Sequence, residues 1–183
     1  MKKIVIILAI AVAIVILIFA IIYFVIPVLI IGGFITPAPS YNKLDRYLKE
    51  NIDELSYVAD TLWELGYDSI EIRKNPLREE DKYNMRVSRE YLVYETVPIP
   101  DELVDYIKNL YESGVEVISY GRDSVDFTMW SSMDESRGII YSRNGKKPDG
   151  EQLIEVKQVS IENWYYYVHN FEKAKARNPE LFK

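Results

Sequence analysis

The chain offers one imidazole and several hydroxyl groups, the minimum from which a nucleophilic site could be assembled. His169 is the only histidine, and Ser131-Ser132, at the end of a predicted strand, is the best-placed serine pair. A serine nucleophile needs a base beside it, so any triad has to use His169. No G-x-S-x-G turn is present to expose a strained serine. A strand or helix-end position beside Tyr167 explains His169 better, and the sequence predicts no catalytic residue.

Metal and cofactor motifs are missing as well. The chain has no cysteine, no H-E-x-x-H helix, no calcium loop, no P-loop and no G-x-G-x-x-G turn. Asp123, Asp126, Asp134 and Glu135 could meet a cation, but a charged turn facing water explains them better. No two carboxylates stand out as a glycosidase pair, although many acids are available. We therefore expect no metal, no cofactor and no enzyme activity, with a membrane-tethered hydrolase using a carboxylate site as the alternative.

The strongest candidate for a binding site is a run of four aromatic residues at 164–167. On a strand, alternate side chains point to opposite faces, so two of the four would lie in the core and two in solvent. Exposed aromatic side chains bind proteins and sugars well. The competing interpretation is that a helix at 172–178 covers the outer pair, or that the pair lies on the sheet surface without a binding role. With two further aromatic residues that would widen the patch, the predicted partner-binding set is Trp130, Tyr141, Trp164, Tyr165, Tyr166 and Tyr167.

The longest uncharged stretch lies at the N-terminus. Apart from two tyrosines, residues 4–42 contain no ionisable side chain. A bilayer core about 30 Å thick needs about 20 apolar residues in a helix, and a helix pairs its own backbone groups inside lipid. Residues 1–35 are therefore predicted to be a transmembrane signal-anchor, followed by a proline-containing linker at 36–42. Cleavage as a signal peptide is the alternative, although the apolar core of a signal peptide has only about 7–15 residues.

The charges around this stretch predict its orientation and limit the partners of the remainder. Lys2 and Lys3 precede it, whereas the flank that follows is mixed in sign. Basic residues collect on the cytoplasmic side, which predicts a single-pass protein of the cell membrane with its N-terminus inside and its domain outside. Without these two lysines the chain has 20 basic and 28 acidic residues, a net charge of −8. Such a surface repels nucleic acid and anionic lipid.

Residues 43–183 are enough for one domain with its own core. Apolar residues at steps of three or four predict helices over about 41–65 and 101–113, each followed by a glycine suited to a left-handed C′ position, Gly66 or Gly114. Asn51, three residues before Glu54, predicts a break in the first helix. Alternating and short apolar stretches predict strands at about 67–73, 115–120, 125–130, 138–142 and 153–161, and one or two strands within 85–95. Residues 164–171 are ambiguous between strand and helix, and 172–177 favours a terminal helix.

The two predicted helix-glycine-strand segments are similar to one another. Residues 53–75 align without a gap on 101–123, at an offset of 48, with seven identical positions. Two tandem helix-strand-strand units are one interpretation, and chance similarity between two such segments is the other. Either way, we expect an α+β domain with two helices, or three, packed on an antiparallel sheet.

Together these features predict a single-pass membrane protein whose extracytoplasmic domain binds a partner and catalyses nothing. The partner would be an envelope protein, a toxin or inhibitor-type protein, or a cell-wall polymer. A structural subunit of a membrane complex is a further alternative. The apolar stretch contains no G-x-x-x-G and no polar residue that would join it to neighbouring helices, which disfavours that alternative.

Overall fold

A computed structural model of the protein describes position 19 and residues 37–74, 83–90, 93–121, 123–150 and 152–177. The chain divides into two units, Met1–Pro37 and Ala38–Lys183, and the elements below belong to the second. The predicted signal-anchor at 1–35 lies outside the described residues except for position 19. Within the described residues, no helix is long and apolar enough to cross a membrane.

The described residues form three helices and one antiparallel sheet, which confirms the predicted α+β class. Along the sheet the strand order is β3-β2-β1-β4-β5-β6-β8-β7. In chain order the elements are α1 Tyr41–Glu64, β1 Ser69–Lys74, β2 Tyr83–Glu90, β3 Val93–Val97, α2 Asp101–Glu112, β4 Val117–Tyr120, β5 Ser124–Ser131, β6 Glu135–Ser142, β7 Leu153–Gln158, β8 Trp164–Asn170 and α3 Phe171–Arg177.

Helix α1 begins and ends where its sequence predicts. The Ser40 side chain accepts a hydrogen bond from the backbone N–H of Lys43, and Gly66 follows the helix with a φ of 69°. The predicted break is present, because Asn51 leaves helical geometry at φ −124° and its amide donates to the Tyr47 carbonyl. On either side of the break one apolar stripe is buried, formed by Leu44, Leu48, Leu55, Val58, Ala59 and Leu62.

Helices α1 and α2 pack on one face of the sheet. Strand alternation sends the apolar residues of each central strand towards these helices. The principal core contains the α1 stripe, four α2 residues, and strand residues that include Ile70, Ile72, Ile118, Phe127, Ile139, Trp164 and Tyr166. We call the face turned away from α1 and α2 the second face.

The two helix-strand segments meet at the centre of the sheet with a symmetric register. At the offset of 48, Ile70 corresponds to Ile118 and Ile72 to Tyr120. In the pairing of β1 with β4, Ile70 lies opposite Tyr120, and Ile72 lies opposite Ile118. The register therefore has two-fold symmetry, although α1 is followed by three described strands, β1 to β3, and α2 by five, β4 to β8. A common origin of the two segments stays a prediction.

The ambiguous segment at 164–171 is a strand that passes directly into a helix. Strand β8 ends at Asn170, whose side-chain oxygen accepts a hydrogen bond of 2.8 Å from the backbone N–H of Lys173. This contact caps the first turn of α3, as asparagine does at helix N-termini. The predicted terminal helix is therefore confirmed.

A short loop covers part of the second face. Residues 143–150, which we call the covering loop, follow β6 and are fixed at two points. The Tyr165 hydroxyl donates to the carbonyl of Gly145 at 2.8 Å, and the Ser142 hydroxyl donates to the carbonyl of Lys146 at 2.7 Å. Beneath and beside the loop lies a second, smaller cluster of Ile140, Tyr165 and Tyr167, with Leu153 and Val156 packed against it.

Gly138 allows one of these tyrosines to reach across a strand. It lies on β6 between Thr128 of β5 and Tyr167 of β8. A side chain there would collide with the carbonyl of Phe127, and would come within 2.9 Å of the Thr128 Cα and the Tyr167 ring. Because the position is empty, the Tyr167 hydroxyl meets the Thr128 hydroxyl at 2.7 Å.

Replacing Gly138 by alanine should destabilise the protein by about 1–3 kcal/mol, the usual cost of overpacking a filled site. Gly121→Ala is the matched control, because a Cβ at Gly121 meets nothing within 4 Å. The measurement is urea unfolding of the full chain in a zwitterionic detergent, followed by circular dichroism. Equal stability of the two variants would contradict the packing described for Gly138.

Candidate binding cleft

The aromatic run at 164–167 is buried on both faces of the sheet. Trp164 and Tyr166 belong to the core beneath the helices, whereas Tyr165 and Tyr167 belong to the cluster on the second face. The alternation is therefore as predicted, but the expected solvent-facing pair is not found. Tyr165 and Tyr167 are only 6% and 4% exposed. Residues of β6 and β7 pack against them, and the covering loop bonds to Tyr165.

The other two members of the predicted partner-binding set do not widen a patch on the second face. Tyr141 alternates with Ile140 and lies on the helix-covered side, where its ring is 4.9 Å from that of Trp164. Trp130 lies opposite Arg137 on β6, with the guanidinium carbon 6.0 Å from its ring centre. Four members of the set thus lie on β8 and Tyr141 packs beside it, whereas Trp130 lies on β5, two strands away. Contact of any of the six with a partner stays a prediction.

An open cleft of about 720 Å³ lies on the second face, within the usual size range of ligand sites. The covering loop forms one wall through Pro148, Asp149 and Gly150. The floor is mostly hydroxyl groups from neighbouring strands. These hydroxyl residues are Ser119, Ser124, Thr128, Ser131 and Ser136.

The floor follows from the pattern of β5. Val125 and Phe127 are fully buried beneath the helices, so Ser124, Asp126 and Thr128 point to the second face. In the sequence, this alternation predicts core residues of β5, and the acidic residues around it favour a water-facing turn for Asp126. The same alternation contained the signal for the cleft, because polar residues on a central strand have to face something other than the core.

Asp126 lies in the middle of the floor. It is opposite Ser119 of β4 and Ile140 of β6, and Ser124 donates a long hydrogen bond of 3.4 Å to its Oδ1. Burial raises the pKa of the Asp126 carboxyl from 3.8 to about 7, and the Ser124 hydrogen bond opposes this only partly. The carboxyl group therefore changes charge within the physiological pH range.

His169 lies at one end of the cleft but does not form a triad. Its Nδ1 is 3.5 Å from the Ser136 hydroxyl, and burial lowers the pKa of the imidazole. Among the described residues, no carboxylate hydrogen-bonds the ring. Ser131 donates instead to Glu116 at 2.6 Å, and Ser132 donates to the backbone carbonyl of Glu135 at 3.2 Å. The predicted serine pair is thus bound elsewhere.

The four acids that could have met a cation do not converge. Asp126 is in the cleft, Asp123 and Asp134 are exposed, and the Glu135 carboxylate binds Arg137 at 2.6 Å. Within the part of the chain that the structure describes, no group of three histidine or acidic residues is placed to hold a metal ion.

No protein-family model matches the chain, and neither the curated proteins nor the solved structures give a match.

The raised pKa of Asp126 predicts a distinctive pH dependence of stability. In the folded chain this carboxyl keeps its proton up to about pH 7, whereas in the unfolded chain it loses the proton near pH 3.8. Between these values the unfolded chain binds fewer protons, so the contribution of Asp126 to stability falls as the pH rises from about 4 to about 7. Asp126→Asn should remove this loss. The free energy of unfolding of the variant, relative to that of the wild type, should therefore rise by at most about 4 kcal/mol between pH 4 and pH 8.

Urea unfolding of the full chain at several pH values measures the difference between variant and wild type. Asp105→Asn, an exposed carboxylate on α2, is the matched control and should give a difference that is nearly constant with pH. A constant difference for Asp126→Asn as well would mean that Asp126 titrates normally.

Proposed function

We propose that the protein is a binding module held at the cell membrane, and that its cleft on the second face takes a partner outside the cytoplasm. The observation that carries this proposal is the cleft itself, about 720 Å³ with a hydroxyl-rich floor around one sheltered carboxylate. A concave site with a few convergent polar groups is the usual form of a binding site. The partner is an envelope protein, a toxin or inhibitor-type protein, or a cell-wall polymer.

The composition of the cleft favours binding over hydrolysis. Glycoside hydrolysis uses two carboxyl groups flanking the scissile bond, in most families. Among the described lining residues the carboxylates are Asp126 on the floor and Asp149, which is exposed on the covering loop. A nucleophile activated by His169 would also need a group to orient the ring, and no described carboxylate hydrogen-bonds it. A membrane-tethered hydrolase therefore stays the second candidate.

The membrane attachment in this proposal rests on the N-terminal sequence. The uncharged stretch at 4–42 is longer than a bilayer core requires, and Lys2 and Lys3 precede it. Residues 1–35 would cross the membrane once, with the N-terminus in the cytoplasm. A structural subunit of a membrane complex would have the same anchor, so the cleft is what distinguishes a binding module.

The topology can be tested cleanly because the sequence has no cysteine. We expect Asp105→Cys to react with a membrane-impermeant maleimide in intact cells, and a cysteine inserted after Met1, which keeps both lysines, to react only after permeabilisation. Both proteins should stay in the membrane pellet after alkaline carbonate extraction. The reverse labelling pattern would overturn the orientation, and release by carbonate would overturn the anchor.

The use of the cleft can be tested by photo-crosslinking in native membranes. A photoreactive amino acid at Asp149, on the cleft wall, should give a discrete adduct, whereas the same probe at Asp105 of α2 should give none. Ser119→Trp fills the floor and should abolish the adduct, with folding checked by circular dichroism. Equal adducts from both positions, or an adduct that survives the filled floor, would contradict the proposal.

A further inference from the structure

Equivalent positions in the two halves of the sheet carry side chains of opposite charge with different surroundings. Because β1 and β4 have a symmetric register, their partner strands place Arg86 and Asp126 at equivalent positions. Arg86 lies opposite Glu71, and the two side chains form an ion pair of 3.9 Å. Asp126 lies opposite Ser119, which carries no charge. The charge of Arg86 is therefore compensated by Glu71 in the first half. In the second half, β4 places only the Ser119 hydroxyl opposite the Asp126 carboxylate.

The other charged and titratable groups around the cleft do not compensate Asp126. They are Arg73, Glu116, Asp149, Tyr167 and His169. Arg73 already binds Glu71 through two nitrogens, each 2.9 Å from a carboxylate oxygen. Burial lowers the pKa of His169 and raises that of Tyr167, so both rings are neutral at pH 7. The remaining two groups are acids. Within the described lining, no free cation faces Asp126.

We infer that the cleft binds a basic side chain, the ammonium of lysine or the guanidinium of arginine in an exposed segment of a protein partner, and that this cation pairs with Asp126. The inference rests on the proposed function, because it names the chemistry of the partner that the cleft takes. The sheltered Asp126 carboxylate loses hydration and gains only the long hydrogen bond from Ser124 in return, whereas a ligand cation would compensate its charge. The net charge of −8 outside the anchor lysines also attracts basic partners.

The surroundings of Asp126 suit the rest of a basic side chain. Ile140 lies directly opposite on β6, and Leu153 lines the same cleft, so an aliphatic stem has apolar surface to cover. Ser119 and Thr128 place hydroxyl oxygens on the floor that can accept the remaining N–H groups of the cation. The cleft is open, which suits a side chain that projects from a longer segment.

Binding of a cation should be linked to loss of the proton on Asp126. The cation requires the carboxylate, which is the minor form below about pH 7 in the free protein. Affinity should therefore rise with pH and level off above about pH 7. At pH 5.5 only a few per cent of the carboxyl is ionised, so binding should be weaker by up to about 30-fold than at pH 8.

The test uses the full chain in nanodiscs of zwitterionic lipid and two blocked tripeptides, acetyl-Gly-Lys-Gly-amide and acetyl-Gly-Gln-Gly-amide. NMR titration should show that the lysine peptide binds at least about tenfold more tightly than the glutamine peptide at pH 8. The preference should shrink at pH 5.5. Asp126→Asn should abolish it, whereas Asp105→Asn, which removes the same charge from α2, should preserve it.

Equal affinity for the two peptides in the wild type, a comparison that needs no variant, would overturn the inference. A lysine preference that survives Asp126→Asn would overturn it as well. The proposed function fails separately: an adduct from Asp149 that is lost in Ser119→Trp, together with no lysine preference, would retain the cleft as a binding site and exclude only the cationic ligand.

Discussion

Strand β8 has to be covered on both faces. Trp164 and Tyr166 fill the core beneath the helices, whereas Tyr165 and Tyr167 are just as deeply buried on the other side. A strand of bulky aromatic residues loses too much apolar burial if either face is left in water. The helices supply one cover. On the second face, the covering loop and β7 bury the aromatic side chains of β8. They do not extend over Ser124, Asp126 and Thr128 of β5, and the cleft lies there.

Gly138 connects this burial to the floor of the cleft. Because β6 has no side chain at this point, the Tyr167 ring crosses the strand and its hydroxyl reaches Thr128. The Tyr167 ring therefore leaves the cleft open, and its hydroxyl group forms part of the floor beside Thr128. Burial raises the pKa of the Tyr167 phenol further above neutral pH, whereas the pKa of the Asp126 carboxyl at the centre of the floor is raised to about 7.

The sequence predicted those parts of the fold that depend on local rules. Asn51 breaks α1 and Gly66 ends it because capping and left-handed geometry are decided within one turn of the chain. The face exposed at 164–167 could not be predicted in this way. Alternation separates the two sets of side chains, but burial of the outer set depends on a loop whose Gly145 carbonyl meets Tyr165, 20 residues further on. The alternation of β5 indicates that Asp126 faces away from the core, but the cleft also needs a wall from Pro148, Asp149 and Gly150 of the covering loop, and no local pattern places that loop over β5.

The symmetric pairing of β1 with β4 also sets how many ligands one chain can hold. A sheet with two-fold symmetry would have two equivalent binding sites, one in each half. Here the first half has no equivalent site, because Arg86 occupies the position equivalent to Asp126 and forms an ion pair with Glu71. The position equivalent to Asp126 therefore carries a cation that is already paired within the chain, and we expect one cationic ligand per polypeptide.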